Sequence, residues 1–285
     1  MSAARLRKVA WSIVGIVLSV VWVFPVYWMV LSALTPNARL REIPPNFLPT
    51  SATLTSLGAV LTDPAFASAL RMSLAITLLT VLLVLAFAFL AALAISRFRF
   101  RGRKSFILAV LFIQMLPAEG LFIAQYKMLS SVGLTVPSLG LNSLLGVTIL
   151  YTAAVVPFTV WMLRGFVAGV PADLEEAAMV DGLSRTQAFM RITLPLLAPG
   201  LVASGVYAFL QAWNEFTVAL VALPDSSAQT LPLWLRGFLN ASVNRGVDWS
   251  LVMAASSVIA VPVIVFFLFV QGKMTSGLVS GAVKG

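Results

Sequence analysis

The chain has 285 residues, of which 60% are hydrophobic and 10% charged, with a mean hydropathy of +1.00 and a formal net charge of +9. Soluble domains carry about 25% charged residues, so this composition predicts an all-α integral membrane protein and not a soluble enzyme. Cysteine and histidine are absent from the sequence. This excludes disulfides, thiol nucleophiles and histidine-based metal or acid–base sites, and no cofactor or metal is expected.

Six apolar runs are long enough to cross a bilayer, which takes roughly 20 helical residues. Helices are expected because unpaired backbone groups are costly in lipid and the runs lack the alternation of barrel strands. The first run exceeds the about 7–15 apolar residues of a cleaved signal peptide and is predicted to be a retained span. The third is interrupted by Pro117, Glu119 and Gly120. The predicted spans are Trp11–Leu34, Met72–Ile95, Ser105–Met128, Leu141–Met162, Leu196–Leu220 and Leu251–Val270.

The basic residues are unequally divided between the two sides of this topology. Six crossings place both termini on one side, and the segments on that side contain 13 of the 19 lysines and arginines. The largest group is the loop Arg97–Lys104, in which charges alternate with aromatic residues. Because basic residues favour the cytoplasmic side, we expect both termini inside. The predicted layout is a cytoplasmic segment 1–10, a six-span domain 11–270 and a cytoplasmic tail 271–285.

The polar segment 164–195, between the fourth and fifth spans, is predicted to form a pair of short helices on the cytoplasmic membrane face. Pro171 suits a helix start, where the missing N–H is not needed. The acidic residues within Asp173–Glu176 complement the positive end of the helix dipole. Gly182 offers the left-handed conformation that ends a helix.

A second short helix is expected immediately after this turn. Ser184 and Gln187 have the spacing of a capping box, in which each residue satisfies a backbone N–H of the other. Pro195 is expected to end this helix because proline does not fit a helix interior.

The residues of this segment resemble a known signature. Glu176-Ala-Ala178, then Gly182, then Ile192-Thr-Leu-Pro195 are similar to the "EAA" motif of bacterial ABC-importer permeases. The pattern is specific because it combines several residues at fixed spacing with a position between two spans.

The resemblance extends to nearly the whole chain. Phe24–Trp28, Ala212–Phe216 and the tail Gly277–Gly285 are similar to the carbohydrate-uptake branch, and more narrowly to the second, six-span permease of maltose-type systems. The resemblance implies a bacterial inner-membrane protein that pairs with a sister permease, two cytoplasmic ATPase subunits and an extracytoplasmic sugar-binding protein. The sequence lacks a Walker-type G-x-x-x-x-G-K-[ST] loop, so ATP hydrolysis is expected on a separate polypeptide.

The motif also implies which residues couple the permease to its ATPase. We expect Leu174, Ala178 and Leu183 to form an apolar contact ridge at helical spacing. Glu175, Glu176 and Asp181 are expected to face the soluble partner. The predicted coupling residues are Glu175, Glu176, Ala177, Ala178, Asp181, Gly182, Ile192, Leu194 and Pro195.

Polar residues within the spans are candidates for a sugar path, because charges in a bilayer are expensive and often functional. Aromatic rings stack on sugars, and amides and carboxylates bind their hydroxyls. The alternative is that Asn214 and Glu215 join helices or pair with the sister subunit. The resemblance implies that the sister supplies most sugar contacts. The candidates are Gln114, Tyr151, Tyr207, Gln211, Trp213, Asn214 and Glu215.

The segment Gln229–Arg236, between the fifth and sixth spans, is apolar and predicted to lie outside. It could rest in the membrane interface. The family resemblance instead suggests that it probes the cleft of the binding protein.

Two other function classes compete with the importer subunit. A stand-alone secondary transporter or channel is disfavoured because the spans lack a relay of His, Asp or Arg and the cytoplasmic helix pair would have no role. An intramembrane enzyme could use Glu119 and Glu215 as an acid–base pair, but a second catalytic constellation is missing.

The charge asymmetry generates a topology prediction. Single cysteines at Ser96 or Thr186 should resist membrane-impermeant thiol reagents in intact cells, whereas one at Ser227 should react. Labelling at Thr186 from outside would overturn the orientation.

Overall fold

The computed structural model describes residues 3–116, 118–240 and 246–282, and every regular element in these ranges is helical. The predicted all-α class is therefore confirmed. The α-helices are α1 (Ala3–Leu34), α2 (Thr55–Thr62), α3 (Pro64–Arg97), α4 (Arg103–Gln114), α5 (Phe122–Thr135), α6 (Leu144–Gly169), α7 (Asp173–Val180), α8 (Arg185–Ala188), α9 (Leu194–Trp213), α10 (Thr217–Ala222), α11 (Leu231–Asn240) and α12 (Trp249–Ala282). Short 3₁₀ turns lie at Arg39–Arg41, Ala118–Leu121 and Pro137–Leu139, and a π-helical segment lies at Phe189–Thr193.

Five helical stretches among the described residues are long and apolar enough to cross a membrane, and they coincide with five of the six predicted runs. All five exceed the roughly 20 residues that a bilayer core requires. They are Arg7–Leu34, Pro64–Arg97, Leu144–Gly169, Arg185–Trp213 and Trp249–Gly272.

The third predicted run, Ser105–Met128, is not one long helix. It is divided between α4 and α5, with the 3₁₀ turn Ala118–Leu121 between them. Proline explains the division, because it lacks a backbone N–H and clashes with the preceding helical turn. Pro117 itself lies outside the described residues, as does the side chain of Glu119.

The second short helix does not end at Pro195 as predicted. The chain remains helical from Arg185 to Trp213, passing from α8 through the π-helical segment into α9. Pro195 lies in the first turn of α9, where its missing N–H is tolerated. The polar helix is therefore the direct continuation of a candidate span.

The chain divides into two compact units, the first comprising residues 1–67 and 234–262. Trp234, buried in this unit, joins its distant parts. The indole N–H of Trp234 donates a 3.0 Å hydrogen bond to Asp63, and the ring centroid of Phe66 lies 5.2 Å from that of Trp234. This polar and aromatic contact fixes α11 against the start of α3.

The second unit comprises residues 68–233 and 263–285, and clusters of buried apolar residues lie within its described part. In one cluster, alanines of α3 allow close packing against α6 and α9, near the points where α6 ends and α9 begins. This cluster is Ala88, Ala92, Ile95, Val160, Leu163, Val167 and Leu197. Another lies near the opposite ends of the same helices and consists of Ile76, Leu129, Val147, Leu150, Tyr151, Ala212, Val218, Ala219, Ala222, Leu223 and Leu233.

Asn142 fastens the start of α6 to the end of α10. Its φ of 57° is left-handed, a conformation that asparagine tolerates better than most residues. Its backbone N–H donates to the carbonyl of Ala222 at 2.8 Å, and its side-chain oxygen accepts from the N–H of Asp225 at 2.9 Å. Hydrogen bonds from Ser227 in turn lower the pKa of the Asp225 carboxyl below its ordinary value. The turn after α10 is thus held by side-chain contacts.

Candidate functional site

The helix pair between α6 and α9 is built by the local signals in its sequence. α7 is followed by Gly182, whose φ of 91° is left-handed. Ser184 then forms the predicted capping box, because its hydroxyl accepts from the N–H of Gln187 at 3.3 Å and the Gln187 side chain accepts from the Ser184 N–H at 2.9 Å. The turn and both helix ends are therefore set within this segment.

Adjacent carboxylates on α7 have different surroundings. Glu175 faces inward, where one of its oxygens lies 3.3 Å from Nη2 of Arg97 and accepts a 2.7 Å hydrogen bond from the hydroxyl of Thr193. The side chains of Arg97 and Glu175 are each 21% exposed. Glu176 is exposed. The expectation that both glutamates face a soluble partner is therefore wrong for Glu175, which is engaged within the chain.

The apolar ridge expected on α7 is also wrong in part. Ala178 is 7% exposed because α7 packs with this side against α8 and the π-helical segment. The exposed apolar positions are instead Leu174, at 42%, Ala177, and Val180, at 88%. Together with Glu176 and Asp181, both exposed, they form what we call the outer face of α7.

A cleft of about 480 Å³ lies between the end of α3, α7 and α8. Its lining combines apolar side chains with both signs of charge. The lining residues are Leu93, Arg97, Phe98, Ala172, Glu175, Glu176, Met179, Arg185, Thr186 and Phe189.

The surroundings of Gly182 are open within the chain. A Cβ at this position would meet nothing within 4 Å among the described residues, so the first atom of a side chain has room within the chain. The constraint that the chain imposes on Gly182 is the left-handed backbone alone.

Three of the predicted path residues form one stripe along α9. Tyr207, Gln211 and Asn214 follow one another at spacings of four and three, which places them on the same helix face. Gln211 and Asn214 are exposed and Tyr207 is half-buried. The ring centroid of Phe158 lies 4.5 Å from that of Tyr207 and adds an aromatic surface to the stripe.

Trp213 and Tyr151, by contrast, are each 2% exposed and belong to the packed interior. Trp213 stacks on Phe209 with ring centroids 5.6 Å apart, and Phe209 in turn stacks on Phe266 at 4.0 Å. The hydroxyl of Tyr151 donates to the backbone carbonyl of Glu215 at 3.4 Å. Both side chains support the helices from inside.

Glu215 caps a helix where the fifth predicted run is interrupted. α9 ends at Trp213 and α10 begins at Thr217. The Glu215 carboxylate accepts hydrogen bonds from the N–H groups of Val218 at 2.8 Å and Ala219 at 3.0 Å. It thus satisfies two backbone donors that start α10, as expected of an acceptor near a helix N-terminus.

Gln114 is exposed at the end of α4. It is not the partner in the hydrogen bonds that Tyr151, Asn214 and Glu215 form. The proposed pairing of Glu119 with Glu215 falls outside the described residues, because the Glu119 side chain is not among them. The structure therefore assembles the α9 residues but does not join Gln114 to them.

Much of the segment Gln229–Arg236 is packed within the chain, while Arg236 is exposed. Leu231 is fully buried, Leu233 is 6% exposed and Trp234 is 4% exposed. The backbone N–H of Leu231 also donates to the hydroxyl of Ser73 at 2.7 Å. Residues 241–245, beyond α11, lie outside the described residues.

Sequence reasoning missed Arg97 and Thr193 as parts of the site. The sequence pattern places Arg97 in a positive-inside loop and gives Thr193 no role of its own within the motif. A threonine hydroxyl and an arginine can both serve a buried carboxylate, but their partner is decided by tertiary packing and has no signature in the spacing.

The match to a family decides the class of protein. Residues 86–276 match the family described as binding-protein-dependent transport system inner membrane component. The chain belongs to this family of transport permeases. Its members are permease subunits of transporters and not catalytic enzymes.

Relatives of the permease cover nearly its whole length. It is 40% identical over 274 residues to the diacetylchitobiose uptake system permease protein DasC of Streptomyces coelicolor, covering 96% of both chains. It is 32% identical to the trehalose/maltose transport system permease protein MalG of Thermococcus litoralis, covering 98% of both chains. The predicted resemblance to the permeases of carbohydrate-uptake ABC importers is confirmed.

A solved structure shares the fold of the permease. A chain of a bacterial ABC transporter involved in the import of the acidic polysaccharide alginate superposes with a TM-score of 0.75 at 23% identity, covering 95% of this chain and 98% of that one. The helical arrangement is therefore that of an ABC-importer chain.

The capping role of Glu215 can be tested by stability. Glu215→Ala leaves two N–H groups of α10 without their acceptor, and we expect a loss of about 1–3 kcal/mol in the free energy of unfolding, with a smaller loss for Glu215→Gln. Asn214→Ala, the adjacent control, removes only a bond to the Leu210 carbonyl of its own helix and should change stability by about 0.5 kcal/mol or less. Thermal unfolding of the detergent-solubilised protein measures both. Equal stability of Glu215→Ala and the unmodified permease would exclude the cap.

Proposed function

We propose that this permease is one of two membrane-spanning subunits of an ATP-driven importer for a di- or oligosaccharide. The observation that carries the proposal is the full-length similarity to permeases whose names specify diacetylchitobiose, trehalose and maltose, which are all disaccharides. The partners are a sister permease, two cytoplasmic ATPase subunits and an extracytoplasmic sugar-binding protein. ATP hydrolysis belongs to the ATPase subunits, in keeping with the missing Walker-type loop.

The proposed topology has six crossings and both termini in the cytoplasm. α4 and α5 together make the third crossing, and such a broken helix is tolerated in a membrane where other protein segments cover it. The unequal distribution of basic residues supports this orientation. Thr186, which is exposed, is a better labelling position than Ser96, whose hydroxyl is buried.

We propose that the outer face of α7 and the turn at Gly182 dock on the ATPase. This face is exposed and combines an apolar centre, Ala177 and Val180, with two carboxylates, Glu176 and Asp181. Small residues at its centre let a partner surface approach closely.

Other residues of the motif would connect this face to the span. Thr193 is buried, and Ile192 and Leu194 are half-buried at the junction of the π-helical segment with α9. Because the chain is helical from Arg185 to Trp213, a displacement of α8 acts directly on α9. Pro195 allows this continuity because it lies in the first turn.

Reconstituted importer tests both proposals together. The permease, its sister, the ATPase and the matched binding protein should take up labelled disaccharides only with ATP and binding protein present. Gly182→Asp should abolish uptake and release the ATPase on purification, because aspartate tolerates the left-handed turn yet adds a charged side chain at the docking surface. Gly182→Asn carries a side chain of similar size without the charge.

These variants separate the causes of failure. Loss of the ATPase in both variants indicates that the volume of the new side chain prevents docking. Loss in Gly182→Asp alone indicates that its negative charge prevents docking. Gly169→Ala, at the end of α6, also has open surroundings and is the control for a new Cβ. Normal uptake by Gly182→Asp would exclude the docking assignment, while ATP-independent uptake by the unmodified complex would exclude the importer.

We place the sugar path along the stripe Tyr207, Gln211 and Asn214. An exposed amide in a membrane span is costly against lipid, so these side chains are expected to face the sister subunit or a water-filled path. Amides bind sugar hydroxyls, and the rings of Tyr207 and Phe158 offer faces for stacking. This stripe is supported by buried side chains, Trp213 and Tyr151, and by the cap that Glu215 forms at the start of α10.

Substitution along the stripe should reduce import without dismantling the complex. We expect Gln211→Ala and Asn214→Ala to lower sugar uptake about tenfold, since each removes hydrogen bonds to the passing sugar worth roughly 1–2 kcal/mol. Leu210→Ala, an exposed apolar position between them and Tyr207, is the control and should import normally. Uptake and ATPase retention are measured on the same purified complexes. Unchanged uptake in Gln211→Ala and Asn214→Ala would assign the stripe to helix pairing.

A further inference from the structure

A single carboxylate joins three separate elements of the second unit. Glu175 lies on α7, Arg97 is the last residue of α3, and Thr193 ends the π-helical segment that leads into α9. The ion pair to Arg97 and the hydrogen bond from Thr193 reach the same oxygen, Oε1. We refer to these three residues as the latch.

The latch crosses open space. The lining of the cleft of about 480 Å³ includes Arg97 and Phe98 at the end of α3 and Glu175 and Met179 of α7. α7 packs against α8 and the π-helical segment, its neighbours along the chain. On the side of α3, the ion pair therefore bridges a gap that packing does not fill.

We propose that Glu175 is a positioning residue that fastens α7 to α3 as well as to α9. The proposal rests on the docking function proposed for α7. Covalent connections already tie α7 to α6 and α9, but α3 is distant in sequence, and the Arg97–Glu175 pair gives a direct link to it. A movement of α7 caused by the ATPase then displaces α3, α6 and α9 together. These three helices pack against one another in the cluster that contains Ala92 and Leu163.

The geometry of the latch indicates what the arginine must supply. Nε and Nη2 of Arg97 are buried and make no aligned hydrogen bond, although Nη2 lies within ion-pair distance of Glu175. The planar fork of the guanidinium is thus not used, and a point charge is sufficient. Arg97→Lys should therefore preserve the latch, while Arg97→Gln should break it.

The experiment compares import with ATP hydrolysis in reconstituted complexes. Glu175→Gln keeps an acceptor for Thr193 but removes the ion pair, and we expect sugar imported per ATP hydrolysed to fall about tenfold while the ATPase stays bound. Thr193→Val should lower the same ratio and Thr193→Ser should not. Asp173→Asn, an exposed carboxylate on the same helix, is the matched control and should leave the ratio unchanged.

A charge exchange distinguishes a link from a folding requirement. The double variant Arg97→Glu with Glu175→Arg restores opposite charges across the cleft and should recover most of the ratio that either single change loses. An unchanged ratio in Glu175→Gln would overturn the latch, as would equal losses in the single and double variants.

The latch and the docking function fail in different ways. Detachment of the ATPase from Glu175→Gln would also overturn the latch, since it would place Glu175 in the docking contact. Failure of the docking function would appear as ATPase retention and normal uptake in Gly182→Asp.

Discussion

In a bilayer each backbone N–H and carbonyl must find a partner within the protein, and this requirement governs the interruptions of the helices. Between α9 and α10 the helical ladder stops, and the carboxylate of Glu215 accepts two of the freed N–H groups. At the other end of α10, Asn142 receives and donates the bonds that hold the turn. Polar side chains at these interruptions therefore stabilise the fold, and their presence in a span does not by itself assign them to a sugar path.

This requirement divides the polar residues of the membrane region into two groups. Glu215, which is half-buried, satisfies backbone N–H groups of α10, and Tyr151, which is buried, packs in the interior. On the stripe, the side-chain amides of Gln211 and Asn214 are exposed, and that of Asn214 donates to the backbone carbonyl of Leu210. The second group is the one that we propose faces a substrate or a neighbouring chain, and it is distinguished from the first by its exposure.

Much of the fold is readable from the sequence because the bilayer imposes simple lengths and costs. Apolar runs predict five of the long helices, and the Gly182 turn and the Ser184 capping box follow from local chemistry. The sequence also marks the third run as interrupted, but the separate helices α4 and α5 depend on backbone geometry. Proline predicts a helix end, but Pro195 follows a π-helical segment and lies in the first turn of α9, so the chain stays helical there.

The sequence identifies the motif residues as a group but does not determine the direction in which each side chain points. Glu175 and Glu176 are adjacent, and only packing decides that one meets Arg97 and the other meets solvent. Gly182 has a related consequence for protein engineering. The chain leaves the position of a Gly182 Cβ open and requires of this residue only a left-handed backbone, so under the docking function proposed above the need for a glycine lies in the ATPase. A permease redesigned to dock on a different ATPase could be varied at this turn without repacking its own interior.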